Sequence, residues 1–221
     1  MNEDDVDLSR FRAAKRTEPC KLYLISPQDV GGDFPERLRA ALGGGPVAAF
    51  QLRVKDVEEH SLVRLAEPLQ AICAEHSVTF IVNDSIALAK RLGADGVHLG
   101  QSDGDPREAR DLLGPDAQIG RTCHDSRHLA MEAGEAGCDY VAFGAFYPTT
   151  TKPSHYRPDA AILTWWSAIA EIPSVAIGGI TPVNAAPLVT AGADFIAVCQ
   201  AVWSATDPGT AVAHFDRSFA L

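Results

Sequence analysis

The chain has 221 residues, 46% of them hydrophobic and 22% charged, enough apolar material for one sizeable core. A formal net charge of −10 argues against nucleic acid as the main partner, although a few cations converging in one cleft still bind an anion in an acidic protein. No apolar run approaches the ~18 residues of a membrane span. The five cysteines form no CxxC pair, which makes a poor disulfide framework and points to a reduced, cytoplasmic compartment.

Residues 1–20 lack the apolar segment of a signal peptide and read as a polar tail, with residues 21–221 forming the folded domain. From Lys21 onward, short runs rich in Val, Ile, Phe and Ala alternate with longer amphipathic stretches. The expected strands are "KLYLIS" (21–26), "VAAFQLRV" (47–54), "TFIVND" (79–84), "GVHLGQ" (96–101), "QIGRTCH" (118–124), "YVAFGAF" (140–146), "SVAIGGI" (174–180) and "FIAVCQA" (195–201). Helices are expected between them, as in "EEHSLVRLAEPLQAICAEH" and "DSRHLAMEAGEAG". This alternation predicts a parallel sheet, and eight such units predict an α/β fold closed as a single (β/α)8 TIM barrel. An internal echo supports it. "LGADGVHLG", "AGCDYVAFG" and "AGADFIAVC" each place a glycine at a helix end and an aspartate before an apolar strand. A doubly wound open sheet is the rival, but no glycine-rich nucleotide fingerprint follows the first strand.

Barrel chemistry sits at the C-terminal ends of the strands, and unusual polar residues collect there. In "QLRVK", alternation puts Gln51, Arg53 and Lys55 on one side of the backbone. Arg offers a planar fork for phosphate oxygens and Lys a point charge; the alternative is a row facing the outer helices or solvent. The third strand ends in Asn83 and Asp84, and the fourth runs through His98 to Gln101 and Asp103. Two carboxylates at neighbouring strand ends suit Mg2+, which takes one or two carboxylates and fills its shell with water and phosphates. Alternatively, Asp84 caps the helix starting near Ser85 and Asp103 starts a turn.

The fifth strand ends at Thr122, Cys123 and His124. Cys123 is either a nucleophile or an inert buried thiol, His124 either an acid–base group or part of a turn, and His98 either a site residue or a core residue. After the sixth strand, "AFYPTTTKP" offers three hydroxyls and an ammonium between two prolines. Strand-like alternation pairs Thr149 with Thr151 on one side and leaves Thr150 structural. Gly178 and Gly179 permit close approach of backbone N–H groups to an anion, or simply tight packing. Cys199 and Gln200 lie at the end of the eighth strand, where barrels often bind phosphate.

In order and in spacing, "QLRVK", "ND", "GADGVHLGQSD", "DYVAFGAFYPTTTK" and "AIGGIT" resemble the thiamine phosphate synthase family over nearly the whole chain. The resemblance implies a TIM barrel that joins a pyrimidine diphosphate to a thiazole phosphate, releasing pyrophosphate, with Mg2+ as cofactor. It assigns Gln51, Arg53, Lys55, Asn83 and Lys152 to the pyrimidine diphosphate, with Thr122 near the diphosphate. It assigns Asp84 and Asp103 to the metal, and Thr149, Thr151 and the backbone around Gly179, Cys199 and Gln200 to the thiazole phosphate. It also implies ionisation of the pyrimidine to a methyl cation that the thiazole nitrogen traps, without a protein nucleophile. Thr122 stands where a serine is usual, Gln200 replaces a common serine, and "YLISP" lacks the usual Thr–Asp ending and is given no role. The implied partners are the two small-molecule substrates, with no nucleic acid or membrane; a homo-oligomer stays open. Two other readings remain: a thiazole tautomerase, since "GRTCH" resembles that group with His124 as its catalytic histidine, and a non-catalytic barrel binding a phosphorylated ligand.

Overall fold

The structure, a computed structural model, describes residues 13, 18–149 and 155–219. Eight parallel strands close into a barrel in sequence order: β1 (Lys21–Ile25), β2 (Val47–Leu52), β3 (Thr79–Asn83), β4 (Gly96–Leu99), β5 (Gln118–His124), β6 (Tyr140–Gly144), β7 (Ser174–Ile177) and β8 (Phe195–Val198). The helices are α1 (Phe34–Gly43), α2 (Glu59–Glu75), α3 (Ile86–Leu92), α4 (Pro106–Leu113), α5 (Arg127–Glu135), α6 (Ala161–Ile169), α7 (Ala186–Thr190), α8 (Gln200–Trp203) and α9 (Pro208–Phe219). The expected alternation is therefore present, and the sheet is closed rather than doubly wound.

Strand alternation sorts the side chains into two cores. Outward-facing residues such as Leu22, Leu24, Phe50, Phe80, Val97, Ile119 and Phe143 pack with the helices. Inward-facing Tyr23, Ile25, Ala49, Ile81, Tyr140, Ala142, Val175 and Ala197 fill the barrel. Three alanines in this inner set leave room for the two tyrosine rings, whose centroids lie 6.1 Å apart. The seam is closed from outside by Trp203, which packs edge-on against Phe34 at 4.9 Å and donates its indole N–H to the Ile25 carbonyl at 2.6 Å.

The three sequence echoes serve one mechanical purpose. Asp95, just before β4, accepts a hydrogen bond from the Phe80 N–H in β3 at 2.7 Å. Asp139, before β6, does the same for Ile119 in β5 at 2.6 Å, and Asp194, before β8, for Ser174 in β7 at 2.8 Å. Each aspartate thus satisfies an N–H near the start of the preceding strand, at the end of the barrel opposite the chemistry, where such residues serve stability. The glycines of the echoes, Gly93, Gly137 and Gly192, all carry positive φ, as turns out of helices require.

Seven of the eight strands end earlier than the expected runs, β1 and β3 by a single residue. β2 stops at Leu52, β6 at Gly144, β7 at Ile177 and β8 at Val198, because the chain turns into its site loop at each point. Gln200, expected on a strand, is the first residue of α8. β4 likewise ends at Leu99, where Gly100 and Asp103 close a turn.

Asp139 also accepts from the Arg110 guanidinium at 2.6 Å. Asp139→Ala leaves both donors without this acceptor and is expected to lower the unfolding free energy by ~1–3 kcal/mol. The measurement is urea denaturation, with a lower midpoint at unchanged slope.

Candidate active site

The described candidates gather at the C-terminal ends of the strands. Gln51 lies inside β2 and is 3% exposed, so it faces the interior and not the outer helices, whereas Arg53 is half-buried and Lys55 exposed beyond the strand end. Arg53 and Lys55 follow β2, held by the end of β1. The Arg53 N–H donates to Ser26 Oγ at 2.8 Å, the Lys55 N–H donates to Gln28 Oε1 at 3.2 Å, and Gln28 Nε2 donates back to the Lys55 carbonyl. Ser26 is buried, and its own N–H donates to the Gln51 carbonyl at 2.9 Å. The stretch "YLISP", given no role from sequence, therefore sets the path of the cationic segment.

Asn83 ends β3, and Asp84 follows with φ +65°. Ser85 is the cap of α3, its hydroxyl accepting from the Leu88 N–H at 3.1 Å. Asp84 is thus released from capping, and its Oδ2 lies 3.1 Å from Lys55 Nζ. Asp103 does close a turn, accepting from the Gly100 N–H at 3.0 Å, and it also stands beside Asp84. Burial pushes the Asp84 carboxyl above the ordinary aspartate range; Lys55 draws it down, and the Asp103 carboxylate pushes it up again. A carboxylate pair that repels itself inside a half-buried cleft is a donor set that a hard cation relieves, and oxygen ligands of this kind fit Mg2+. Arg121 holds the turn from β5, donating to the carbonyls of Gly104 at 2.7 Å and Gln101 at 3.3 Å.

Thr122 sits in β5 beneath this turn and is joined to the barrel interior. His98 Nε2 lies 2.8 Å from Thr122 Oγ1, and His98 Nδ1 lies 3.1 Å from the Tyr140 hydroxyl. Tyr140 and Tyr23 hydroxyls are 3.0 Å apart, and Gln51 Nε2 donates to Tyr23 at 2.9 Å. Two residues assigned to the pyrimidine diphosphate, 71 positions apart in sequence, are thus ends of one buried line. His98 is both a core residue and a neighbour of the site.

Cys123 is buried, and burial pushes its thiol up to about 12, so it is an inert thiol at neutral pH. His124 has φ +55° at the end of β5 and stacks on Tyr156 with ring centroids 4.1 Å apart.

The loops after β6 and β7 are joined. The Phe146 and Tyr147 N–H groups donate to Ile177 and Gly178 carbonyls, and the Tyr147 hydroxyl donates to the Asn184 carbonyl at 2.9 Å. Asn184 Nδ2 in turn donates to the Gly179 carbonyl at 3.1 Å. A Cβ on Gly179 would lie 2.3 Å from the Pro148 oxygen, and its φ is +64°, so only glycine lets the two loops meet. Thr149 follows this junction, partly buried. Thr151 and Lys152 lie outside the described residues. Cys199 and exposed Gln200 stand at the β8–α8 junction, with Cys199 Sγ donating to the Ser26 carbonyl at 3.4 Å.

Against this geometry, a family model described as thiamine monophosphate synthase matches residues 22–202. The chain belongs to the thiamine monophosphate synthase family. It is 64% identical to the thiamine-phosphate synthase of Erythrobacter litoralis over 206 residues, covering 91% of this chain and 96% of that one. The thiamine-phosphate synthase of Rhodospirillum centenum is 54% identical, over 90% and 97% of the two chains. Among solved structures, thiamine phosphate pyrophosphorylase from Pyrococcus furiosus superposes with TM-score 0.80 at 31% identity, covering 90% of this chain and 95% of that one. The family thus has the closed barrel expected from the alternation of elements, and its members match this chain across all eight strands.

Two variants probe the geometry. Gly179→Ala should separate the β6 and β7 loops and lower stability by ~1–3 kcal/mol through backbone strain, measured as a fall in urea midpoint. Asp103→Asn removes the charge facing Asp84. It is expected to raise the melting temperature in the presence of chelator; added Mg2+ is expected to raise that of the parent chain but not of the variant, both read by calorimetry.

Proposed function

We propose that this chain condenses 4-amino-2-methyl-5-(diphosphooxymethyl)pyrimidine with a thiazole phosphate to give thiamine monophosphate and pyrophosphate. The observation that carries the reading is the set Lys55, Asp84 and Asp103 beside Arg53, at the mouth of a barrel whose relatives are named thiamine-phosphate synthases. A diphosphate leaves readily only when its growing charge is neutralised, and a chain of net charge −10 concentrates cations at this mouth to do so.

In the proposed mechanism Gln51 and Asn83 seat the pyrimidine, while Arg53, Lys55, Thr122 and Lys152 bind its diphosphate. Asp84 and Asp103 would hold Mg2+, which when bound neutralises phosphate charge. Thr149, Thr151 and the backbone at Gly179, Cys199 and Gln200 would hold the thiazole phosphate and so place the thiazole nitrogen against the pyrimidine methylene. The carbon–oxygen bond to the diphosphate breaks first, leaving the pyrimidine methyl cation, and the thiazole nitrogen then supplies its electron pair. No protein nucleophile is required, in keeping with the high pKa of Cys123. Orientation of the two reactants supplies much of the remaining acceleration. The site works in a cytoplasmic setting on small molecules; among the described residues, no helix is long and apolar enough to cross a membrane.

Mixing both substrates with Mg2+ should yield thiamine monophosphate and pyrophosphate in equal amounts, and no product with any divalent metal would overturn the reading. Lys55→Ala should lower kcat by roughly 10²-fold, and Asp84→Ala should abolish metal-dependent turnover. His124→Ala should keep most of the turnover; if it instead stops isomerisation of a thiazole carboxylate phosphate by the parent chain, the tautomerase reading replaces this one.

A further inference from the structure

A line of side chains in hydrogen-bond reach of one another crosses the barrel interior from Gln51 to Thr122. We propose that it is proton-ordered from Gln51 to Thr122, so that Tyr23, Tyr140 and His98 are positioning residues: they hold His98 as its Nε2–H tautomer and commit the Thr122 hydroxyl proton to the bound anion. The identity of that anion, the pyrimidine diphosphate, rests on the function proposed above; the proton order does not.

A phenol has one proton, so each hydroxyl along this line donates once, and the donor at the Gln51 end sets the order of the contacts that follow. At the Gln51 end the amide nitrogen faces Tyr23 and can only donate. The Tyr23 oxygen therefore receives, and its own proton passes to the Tyr140 oxygen 3.0 Å away. The Tyr140 proton then goes to His98 Nδ1 at 3.1 Å. A neutral imidazole accepting at Nδ1 carries its proton at Nε2, which donates to Thr122 Oγ1 at 2.8 Å. The Thr122 proton is the one left over, and it is free to point out of the line.

The opposite order would spend that proton on His98 Nε2 and aim only lone pairs at the anion, which repels it. A doubly protonated His98 would make Tyr140 an acceptor and send its proton back toward Tyr23, whose oxygen would then receive twice while its own proton lost its partner. Burial raises both tyrosine hydroxyls well above their ordinary range, so each keeps its single proton. The backbone is shaped for the line as well: a Cβ on Gly120 would sit 1.9 Å from the Tyr140 ring, so glycine in β5 makes the space that brings Tyr140 to His98. Among the described residues, no buried side-chain nitrogen or oxygen lacks a partner, which an ordered line satisfies and a broken one would not.

The test is long-range proton–nitrogen NMR of the His98 ring in the whole protein, with the same spectrum and steady-state kinetics on Tyr140→Phe. The expected result is a protonated Nε2 and an unprotonated Nδ1 in the parent chain. Tyr140→Phe should lose the single tautomer and lower kcat/KM for the pyrimidine diphosphate ~10-fold, with KM for the thiazole phosphate unchanged. A protonated Nδ1 in the parent chain, or a Tyr140→Phe variant with an unaltered His98 spectrum, overturns the proposal. If Tyr140→Phe fails to fold, the parent spectrum alone decides between the two orders. A parent chain with the expected tautomer and no synthase turnover would remove the functional reading while leaving the proton order standing.

Discussion

Side-chain alternation inside a closed barrel is the constraint on which the rest of this structure depends. Once eight strands close, every second residue must point into a space with no access to bulk water, and any polar group placed there needs a partner. Here that space holds Gln51, Tyr23, Tyr140, His98 and Thr122 rather than only branched aliphatics, and they satisfy one another in sequence. The aliphatic neighbours are chosen around them. Ala49, Ala142 and Ala197 are small where the tyrosines are large, and Gly120 has no side chain where Tyr140 needs its room. The polar interior therefore lies as a connected floor beneath the strand-end loops, reaching from Gln51 in β2 to Thr122 in β5.

Above that floor the electrostatics run against the overall charge. An acidic chain that handles two phosphorylated compounds must gather cations locally, and the end of β2 does this with Arg53 and Lys55. Their backbone path is fixed by Ser26 and Gln28, so the cations are delivered by a hydrogen-bonded strap between β1 and β2. Beside them, burial pushes the Asp84 carboxyl above its ordinary range, Lys55 draws it down, and neighbouring Asp103 pushes it up again. A carboxyl strained in this way costs stability, a common feature of functional sites. At the other side of the mouth, the β6 and β7 loops are bound into one unit through Tyr147, Asn184 and the glycine pair. The two substrate halves of the proposed site are thus carried by separate rigid pieces of the same rim.

Much of this was legible in the sequence because it is written in local patterns. Eight apolar runs separated by amphipathic stretches are enough to specify the barrel, and the Gly–Asp echoes mark its repeating unit, though not that each aspartate reaches across to the preceding strand. The alternation of Gln51, Arg53 and Lys55 placed Gln51 inside the barrel, but β2 ends at Leu52, so Arg53 and Lys55 belong to the loop after it, where Lys55 is exposed. The strand ends were overestimated where an apolar run continues into a loop, since periodicity alone does not register a turn such as Gly100–Asp103. What could not be read were the contacts between distant residues. Tyr23 and Tyr140 are 117 positions apart, and an apolar strand hides the purpose of a hydroxyl until its partner is placed. Ser26 and Arg121 were missed for the same reason, as each acts on a neighbouring strand's loop rather than on anything near it in sequence. A single polar residue after an apolar run, like Ser26 in "YLIS", is the signal that could have drawn attention to it.

The proposed site places two anion-binding regions on separate pieces of one barrel rim, with Asp84 and Asp103 as the residues that would hold Mg2+. A crystal structure of the chain soaked with Mg2+, pyrophosphate and thiamine monophosphate tests this most directly. The expected result is pyrophosphate over Arg53 and Lys55, a cation held by Asp84 and Asp103, and the thiamine phosphate group at the joined β6 and β7 loops beside Gly179. Pyrophosphate bound away from the two aspartates, or both phosphorylated groups in a single place, would contradict it.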